Sequence, residues 1–317
     1  MSTLQQEPSA LAPHTPAPNR RHKDRSGIVG ARKSTLALAI FPALLLMVLF
    51  LGVPALQGVR MSFTDWHGVG DINFVGFTNY ANALFDSPFF SALELTAVFC
   101  ISTTVGIMVI ATLLATAVSA RVKGSRFYRV VWFLPGIAPV SAIGVFWSTA
   151  FQPHQGIVNV ILGSVGLGSD HAWLASSQSA IYPTIFVTVW ASVGFAFLLI
   201  LGAVEQIPVS IFEAARMDGA GPVRSFFAMT LPLIRPVLVV TATLELIWNF
   251  NGFTVIWAMT QGGPGYATSL LPVMVYKQAF QLTNFGLASA MAVMGGIILV
   301  VLGLFGLRMS RSRQEGF

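Results

Sequence analysis

Six long apolar segments constrain this chain more than any other feature of its sequence. They cover residues 34–58, 92–119, 128–150, 180–204, 233–258 and 286–307. Each is long enough to cross a hydrocarbon core of about 30 Å. Because backbone groups in lipid must be hydrogen-bonded internally, we predict an all-α integral membrane protein with six transmembrane helices. The composition agrees, since 55% of the 317 residues are hydrophobic and only 9% are charged, unlike a soluble domain.

The third segment is the weakest of the six. Pro135, Gly136 and Pro139 fall inside it, and such residues kink or break a helix. A helix over 128–150 would therefore be interrupted, and its boundaries could shift by several residues.

The two ends of the chain differ from its apolar middle. Residues 1–33 are polar, proline-rich and basic, which predicts a disordered cytoplasmic tail. Residues 34–310 hold the apolar segments and are predicted to form one transmembrane domain. Residues 311–317 are predicted to be a short cytoplasmic tail.

The Lys and Arg residues predict the orientation of the helices. They cluster in the N-terminal tail, in the 120–129 and 208–236 loops and at the C-terminus, with Arg60 and Lys277 outside these clusters. Since cytoplasmic loops are enriched in basic residues, both termini and both loops are expected to face the cytoplasm. Topology and anionic lipid then explain the net charge of +6, and no binding to nucleic acid is expected.

No catalytic or metal-binding arrangement is recognisable in the sequence. Cys100 is the single cysteine, and the five His residues lie in the tail or in loops without the spacing of metal ligands. The stretch 30–35 superficially resembles a phosphate-binding loop, but Arg32 occupies the place of the glycine before Lys33. We therefore predict a chain that is not an enzyme and that holds no metal ion or cofactor of its own.

The longest polar interruption in the second half of the chain, residues 208–236, predicts two short helices joined by a turn. Ser210 and Glu213 have the spacing of a capping box, so the first helix is expected to begin near Ser210. Gly219 would end this helix and Pro222 would begin the next. A helix this short is not stable alone and needs a partner to pack against.

The same stretch carries a family resemblance. Its Glu213-Ala214-Ala215 run, the Asp218-Gly219 pair and residues 229–232 (Met-Thr-Leu-Pro) resemble the cytoplasmic EAA loop of ATP-binding-cassette (ABC) importer permeases. In that family the loop is a coupling helix, which docks into an ATPase subunit and transmits its closure to the membrane. The coupling residues that the resemblance implies are Glu213, Ala214, Ala215, Arg216, Asp218, Gly219 and Pro232.

The fifth apolar segment is unusually polar. Glu245, Asn249, Gly252 and Ile256 recur at helical spacing and would share one face. Polar side chains at this depth are costly unless they face a bundle interior or a cavity, so this face is expected to point inward. Asn251 would lie on another side of a regular helix. Either it bonds a neighbouring helix, or the helix loosens near Gly252 and presents the amides of both Asn249 and Asn251 to a cavity.

Amide and aromatic side chains occur together in this fifth segment. Amides can hydrogen-bond hydroxyl groups and aromatic faces can cover C–H surfaces, a mixture expected for a neutral sugar or polyol. The substrate-binding candidates are Asn249, Asn251, Glu245, Trp248 and Phe253. The alternative is that the amides join helices and the rings pack or contact lipid, with Glu245 holding the fifth helix to a neighbour.

The last part of the chain extends the resemblance. Residues 260–265, 276–280, 285–286 and 288–290 are similar to the maltose-transporter MalF type, rather than the MalG type, of carbohydrate-uptake permeases. This similarity implies a multi-pass protein of a bacterial or archaeal plasma membrane. The partners that it implies are a MalG-like permease subunit, two ATP-binding subunits that bind ATP and Mg, an extracytoplasmic solute-binding protein, a sugar and membrane lipid.

Two functions from different classes remain open at this point. The resemblance implies the permease subunit of an ATP-driven, solute-binding-protein-dependent sugar importer that works by alternating access. The alternative is an ion- or proton-coupled secondary transporter that uses Glu245, the one carboxylate placed deep in a span. Secondary transporters often contain internal repeats, and no convincing repeat is visible in this sequence.

Overall fold

A computed structural model describes residues 33–85, 87–119 and 124–311. The helices are α1 (Lys33–Met47), α2 (Val53–Met61), α3 (Thr78–Phe85), α4 (Phe89–Ser119), α5 (Ser125–Phe133), α6 (Val140–Ala150), α7 (Ile157–Ser164), α8 (Ile181–Glu205), α9 (Val209–Met217), α10 (Pro222–Ser225), α11 (Leu231–Phe250), α12 (Phe253–Thr260), α13 (Leu271–Tyr276) and α14 (Phe285–Arg311). The described residues contain no strand, only a bridge between Thr64 and Phe74. The predicted tails lie outside the described residues, except for Lys33 and Arg311 at helix ends.

Two units divide the chain after Pro54. The first contains α1, the π-helical segment Val48–Gly52 and the start of α2, and the second contains all the other helices. The remaining short helical segments are the 3₁₀ turn Leu134–Ile137 and the π-helical segments Phe226–Thr230 and Lys277–Gln281.

The prediction of an all-α membrane protein is confirmed. In the described part of the chain five helical stretches are long and apolar enough to cross a membrane, and a bent pair makes a sixth when it is counted as one span. The continuous spans are Leu38–Met61, Phe89–Ser119, Ile181–Glu205, Pro222–Phe250 and Phe285–Met309. The fifth differs most from its predicted bounds of 233–258, because it starts at Pro222 and stops at Phe250.

The third span is broken, as its Pro and Gly residues indicate. Its halves, Ser125–Ile137 and Val140–Ala150, meet at 91°. Ala138 is extended, with ψ 145°, because the ring of the following Pro139 disfavours helical backbone at the preceding residue. We call residues 125–150 the third-span elbow.

Helices α4 and α8 pack together along much of their length. Ile107 on α4 and Phe197 and Ile200 on α8 are fully buried in one cluster. On the other side of α4, Val105 and Leu113 are each 56% exposed. A helix that is apolar on both its packed and its exposed sides is typical of a protein in lipid.

The fifth segment contributes to four clusters, through Ile234, Phe250, Val255 and Ile256. Phe250, at the end of α11, packs with Leu271 of α13 and Met291 of α14. Val255 of α12 instead packs with Ile143 of α6 and Val187 of α8. Phe250 and Val255, on the two sides of Gly252, therefore pack against different helices.

Candidate functional sites

Helix α9 is the predicted short helix of the polar stretch, but its start differs from the prediction. The N-cap is Pro208, which is extended (φ −58°, ψ 135°) and makes no side-chain capping bond. The capping box of Ser210 and Glu213 was therefore wrong. Proline fixes its own φ, and the helix begins directly after it, which leaves Ser210 inside the first turn.

The turn after α9 is built as predicted around Gly219. This residue has φ +74°, a backbone conformation that favours glycine. Gly219 N–H donates to the carbonyl oxygen of Arg216 (3.0 Å), and Ala220 N–H donates to that of Ala215 (2.9 Å). These two bonds form a Schellman motif, which satisfies carbonyl groups at the helix end. Pro222 then occupies the first turn of α10.

The coupling candidates divide into one packed residue and an exposed group. Ala215 is fully buried, so it attaches α9 to the rest of the chain. The exposed group is Glu213, Ala214, Arg216, Asp218 and Gly219. Pro232 is exposed in the first turn of α11. We call residues 208–230 the candidate coupling loop.

Three exposed apolar side chains on this loop were not among the residues predicted from the sequence. Met217 is 89% exposed, Val223 is 72% exposed and Phe227 is 62% exposed. Exposed apolar groups next to polar ones are typical of a surface that binds another protein. The signal for this surface was Met217, a large apolar residue that lies between the charged Arg216 and Asp218 at the end of α9.

A cavity of about 640 Å³ lies between the candidate coupling loop and the adjoining ends of α4 and α8. Its lining includes Ser119, Glu205, Glu213, Arg216 and Ser225. Glu205, the last residue of α8, also forms an ion pair with Arg129 of α5. The ion pair ties the third-span elbow to the helix that leads into the coupling loop.

The inward face predicted for the fifth segment is confirmed. Glu245 is 1% exposed, Asn249 is 4% exposed and Ile256 is fully buried. The Asn249 Nδ2 group donates to Thr104 Oγ1 on α4, at 3.4 Å. In the described chain, Glu245 Oε1 and the hydroxyl of Thr241, one turn away, make no hydrogen bond.

The helix is interrupted between Phe250 and Phe253, as in the second arrangement considered for Asn251, but only Asn251 and not Asn249 lines a cavity. Gly252 has φ −65° and ψ 38°, outside the helical range. Asn251 is exposed, and its Nδ2 group donates to the carbonyl oxygen of Ile247 (3.0 Å). It lines a cavity of about 260 Å³ beside Gly295 and Gly296 of α14.

The five substrate candidates thus occupy four different places. Glu245 and Asn249 point into the packed interior, and Asn251 lines the small cavity. Trp248 is 49% exposed, with its ring 5.1 Å from that of Phe195 on α8. Phe253 stacks on Trp257 and lies against Tyr276, with ring centroids 5.4 and 5.2 Å away.

A family model that describes the inner membrane component of binding-protein-dependent transport systems matches residues 107–312. The match covers about two thirds of the chain and includes α9 and the broken fifth segment. This chain belongs to that family. The resemblance to ABC importer permeases is thereby confirmed. The chain is accordingly a non-catalytic membrane subunit, and ATP is hydrolysed by a separate subunit.

Curated relatives agree with the family over most of their length. The probable ABC transporter permease protein YurN of Bacillus subtilis is 30% identical, over 91% of this chain and all of YurN. The multiple sugar-binding transport system permease protein MsmF of Streptococcus mutans is 30% identical, over 84% of this chain and 92% of MsmF. The sn-glycerol-3-phosphate transport system permease protein UgpA of Escherichia coli is 32% identical, over 87% of this chain and 94% of UgpA.

A solved structure has the same fold. A chain of a bacterial ABC transporter involved in the import of the acidic polysaccharide alginate superposes with a TM-score of 0.78 at 21% identity, over 88% of this chain and 95% of that one. Membership of the importer-permease family favours ATP-driven import and does not favour the secondary transporter that would use Glu245.

Proposed function

We propose that this importer permease carries a sugar or a related polyol. The observation that carries the proposal is the broken fifth segment, where Asn249 and Asn251 lie on either side of the helix end beside exposed and stacked aromatic rings. Amide groups and aromatic faces suit hydroxylated ligands. The relatives support the same substrate class, since MsmF is named for multiple sugars, NgcF of Streptomyces coelicolor for diacetylchitobiose and UgpA for sn-glycerol-3-phosphate.

The proposed assembly contains this MalF-like chain, a MalG-like permease subunit, two ATP-binding subunits and an extracytoplasmic solute-binding protein. ATP and Mg are bound by the ATP-binding subunits, and this chain holds no cofactor. The exposed Met217, Val223 and Phe227 support docking of the candidate coupling loop onto an ATP-binding subunit, because desolvated apolar anchors contribute most to the affinity of a protein interface.

The proposed orientation places both termini and the coupling loop in the cytoplasm. Arg216 and Arg224 lie in the candidate coupling loop. Arg129 of α5 pairs with Glu205, which lies just before this loop in the chain. Basic residues near span ends favour the cytoplasmic side. The same side carries ATP, which the coupled subunit requires.

The proposed mechanism is alternating access. Closure of the ATP-binding subunits pulls on α9, whose Schellman turn at Gly219 keeps α9 and α10 in a fixed relation. Residues Pro222–Phe250 form one span, so movement of α10 reaches Asn249 along a single helix. Glu245, Asn249, Asn251, Trp248 and Phe253 would then bind substrate in an assembled complex, in which the MalG-like subunit closes the other side of the pathway.

The experiment is uptake of labelled sugars and polyols by proteoliposomes that contain this chain with its co-purified subunits and solute-binding protein, with and without internal ATP. We expect uptake of one sugar or polyol that requires ATP and the binding protein. Uptake that ignores ATP and stops when a proton or sodium gradient is collapsed would reject an ATP-driven importer. ATP-dependent uptake of only an unrelated solute class would reject the sugar or polyol substrate.

A further inference from the structure

The first half of the third-span elbow approaches the backbone of α8 closely at two glycines. A Cβ atom added at Gly194 of α8 would overlap the carbonyl oxygen of Trp132 and lie 2.8 Å from the Cα atom of Phe133. A Cβ atom added at Gly136 would lie 3.2 Å from the carbonyl oxygen of Ala191. The backbones of the elbow and α8 are therefore in direct contact at two places.

The second half of the elbow touches α12 in the same way. A Cβ atom added at Gly144 of α6 would lie 2.5 Å from the Cβ atom of Ala258. On its other side α6 is held to α8 by Trp147, whose ring lies 5.5 Å from that of Trp190 and 5.2 Å from that of Phe186. Helix α6 is thus wedged between α8 and α12.

The two ends of this series of contacts lie at the two candidate sites. At one end, the Arg129–Glu205 ion pair joins the elbow to the last residue of α8, directly before the coupling loop. At the other end, α12 begins at Phe253, directly after the break beside Asn249 and Asn251. Helix α11, by contrast, continues from the coupling loop itself, because Pro222–Phe250 is one span.

We propose that Gly144 is a positioning residue for transport. The elbow holds α12 to α8 while the coupling loop moves α11. The movement of α11 relative to α12 is therefore concentrated at the break between them, residues 251–252. Close backbone contacts transmit displacement with little loss, because packed interiors have low compressibility. This inference rests on the proposed function, since it describes how ATP-driven movement reaches the substrate candidates.

The contact between Gly144 and Ala258 can be tested by exchanging the two residue types. Gly144→Ala introduces a methyl group against Ala258, and Gly144→Ala combined with Ala258→Gly moves that methyl group from one helix to the other. Gly202→Ala is the matched control, because a Cβ atom there meets no other atom within 4 Å. The measurement is substrate uptake per ATP hydrolysed by the reconstituted complex, with assembly of the subunits checked by size-exclusion chromatography.

We expect Gly144→Ala to lower uptake per ATP about three- to tenfold, which lies within the range of about 2- to 30-fold for coupling effects along packed networks. The double variant should return to within about twofold of the unmodified complex, and Gly202→Ala should not change the ratio. An unchanged ratio in an assembled Gly144→Ala complex, or an assembled double variant that stays as low as Gly144→Ala, would overturn the inference.

A single variant covers the case in which Gly144→Ala fails to assemble. Ala258→Gly only removes a methyl group from the contact and should lower the ratio about twofold, and an unchanged ratio would then overturn the inference. If the unmodified complex shows no ATP-dependent uptake, the proposed function itself is rejected. If the unmodified complex shows ATP-dependent uptake and Gly144→Ala has the same uptake per ATP, only the role of Gly144 is rejected.

Discussion

The candidate coupling loop and the broken fifth segment are held by different kinds of interaction. In the loop, the turn at Gly219 is closed by hydrogen bonds between residues three and five positions apart, and the charged side chains of the loop are exposed. In the fifth segment, the buried Asn249 bonds Thr104, which is 145 positions away in the sequence. The loop is therefore shaped by its own sequence, whereas the fifth segment is shaped by its neighbours.

The largest expected effect comes from Gly219→Val. A Cβ atom in left-handed backbone costs about 1–2 kcal/mol, and a β-branched residue lies at the upper end. We expect uptake per ATP to fall about 30-fold, because the turn can no longer hold α9 and α10 together. Gly221→Ala is the control, since Gly221 has φ −70° and an added Cβ atom there meets nothing within 4 Å. Full uptake by an assembled Gly219→Val complex would contradict the coupling role.

The next largest effect is expected at the exposed tip of α9. Met217→Asp places a charge where an apolar anchor would be desolvated, and should weaken binding of the ATP-binding subunit about tenfold. Met217→Leu keeps an apolar side chain and should bind almost normally. Affinity measured on detergent-solubilised subunits separates the two variants. Equal affinity of both would show that Met217 lies outside the interface.

A smaller effect should reveal whether Asn249 does more than join two helices. Thr104→Val removes the hydroxyl that accepts the Asn249 hydrogen bond, whereas Asn249→Leu removes this bond and any bond to substrate. We expect the KM for uptake to be about fivefold higher in Asn249→Leu than in Thr104→Val, since one hydrogen bond contributes about 1 kcal/mol. Equal KM values would assign Asn249 to the helix contact alone.

The smallest effect concerns Asp65, in the loop that contains the Thr64–Phe74 bridge. Its carboxylate accepts hydrogen bonds from the Asn73 backbone N–H (3.0 Å) and from Asn73 Nδ2 (3.2 Å), and these bonds lower the pKa of Asp65. A lowered pKa contributes stability above the unfolded value of about 3.9, and this stability is lost as the pH falls through the lower folded value. The Tm difference between the unmodified chain and Asp65→Ala should therefore be constant from about pH 5 to pH 8 and vanish in stronger acid.

Asp71→Ala is the control for that measurement, because it removes a carboxylate from the same exposed loop. Scanning fluorimetry in detergent gives both Tm values. A Tm difference that grows as the pH falls below the lowered pKa would contradict the role of the two Asn73 bonds.

Features that depend on short stretches of sequence could be predicted. The lengths of the apolar segments predicted the order of the spans, and Gly219 predicted the turn after α9. Gly252 indicated the break in the fifth segment as one of two possibilities. Each follows from backbone freedom or from burial of a continuous segment. The capping box at Ser210 failed for an equally local reason, because Pro208 starts the helix two residues earlier.

Features that depend on tertiary packing could not be predicted. Helical spacing predicted that Glu245 and Asn249 point inward, but not that Asn249 would bond Thr104 or that Glu245 Oε1 would be left without a partner. The separation of Asn249 from Asn251 depends on which helices pack beside the break. The glycine contacts of the elbow also join residues far apart in sequence, so no single segment contains the pattern.

The 91° bend in the third span has a consequence for the biogenesis of the protein. Helix α5 has nine residues and α6 has eleven, which makes them about 14 and 16 Å long, and each is too short to cross a bilayer core of about 30 Å. Neither half can therefore insert as an independent span during synthesis. The two halves of the third span pack on α8, which follows them in the chain, so this packed arrangement requires the fourth span to be in the membrane as well.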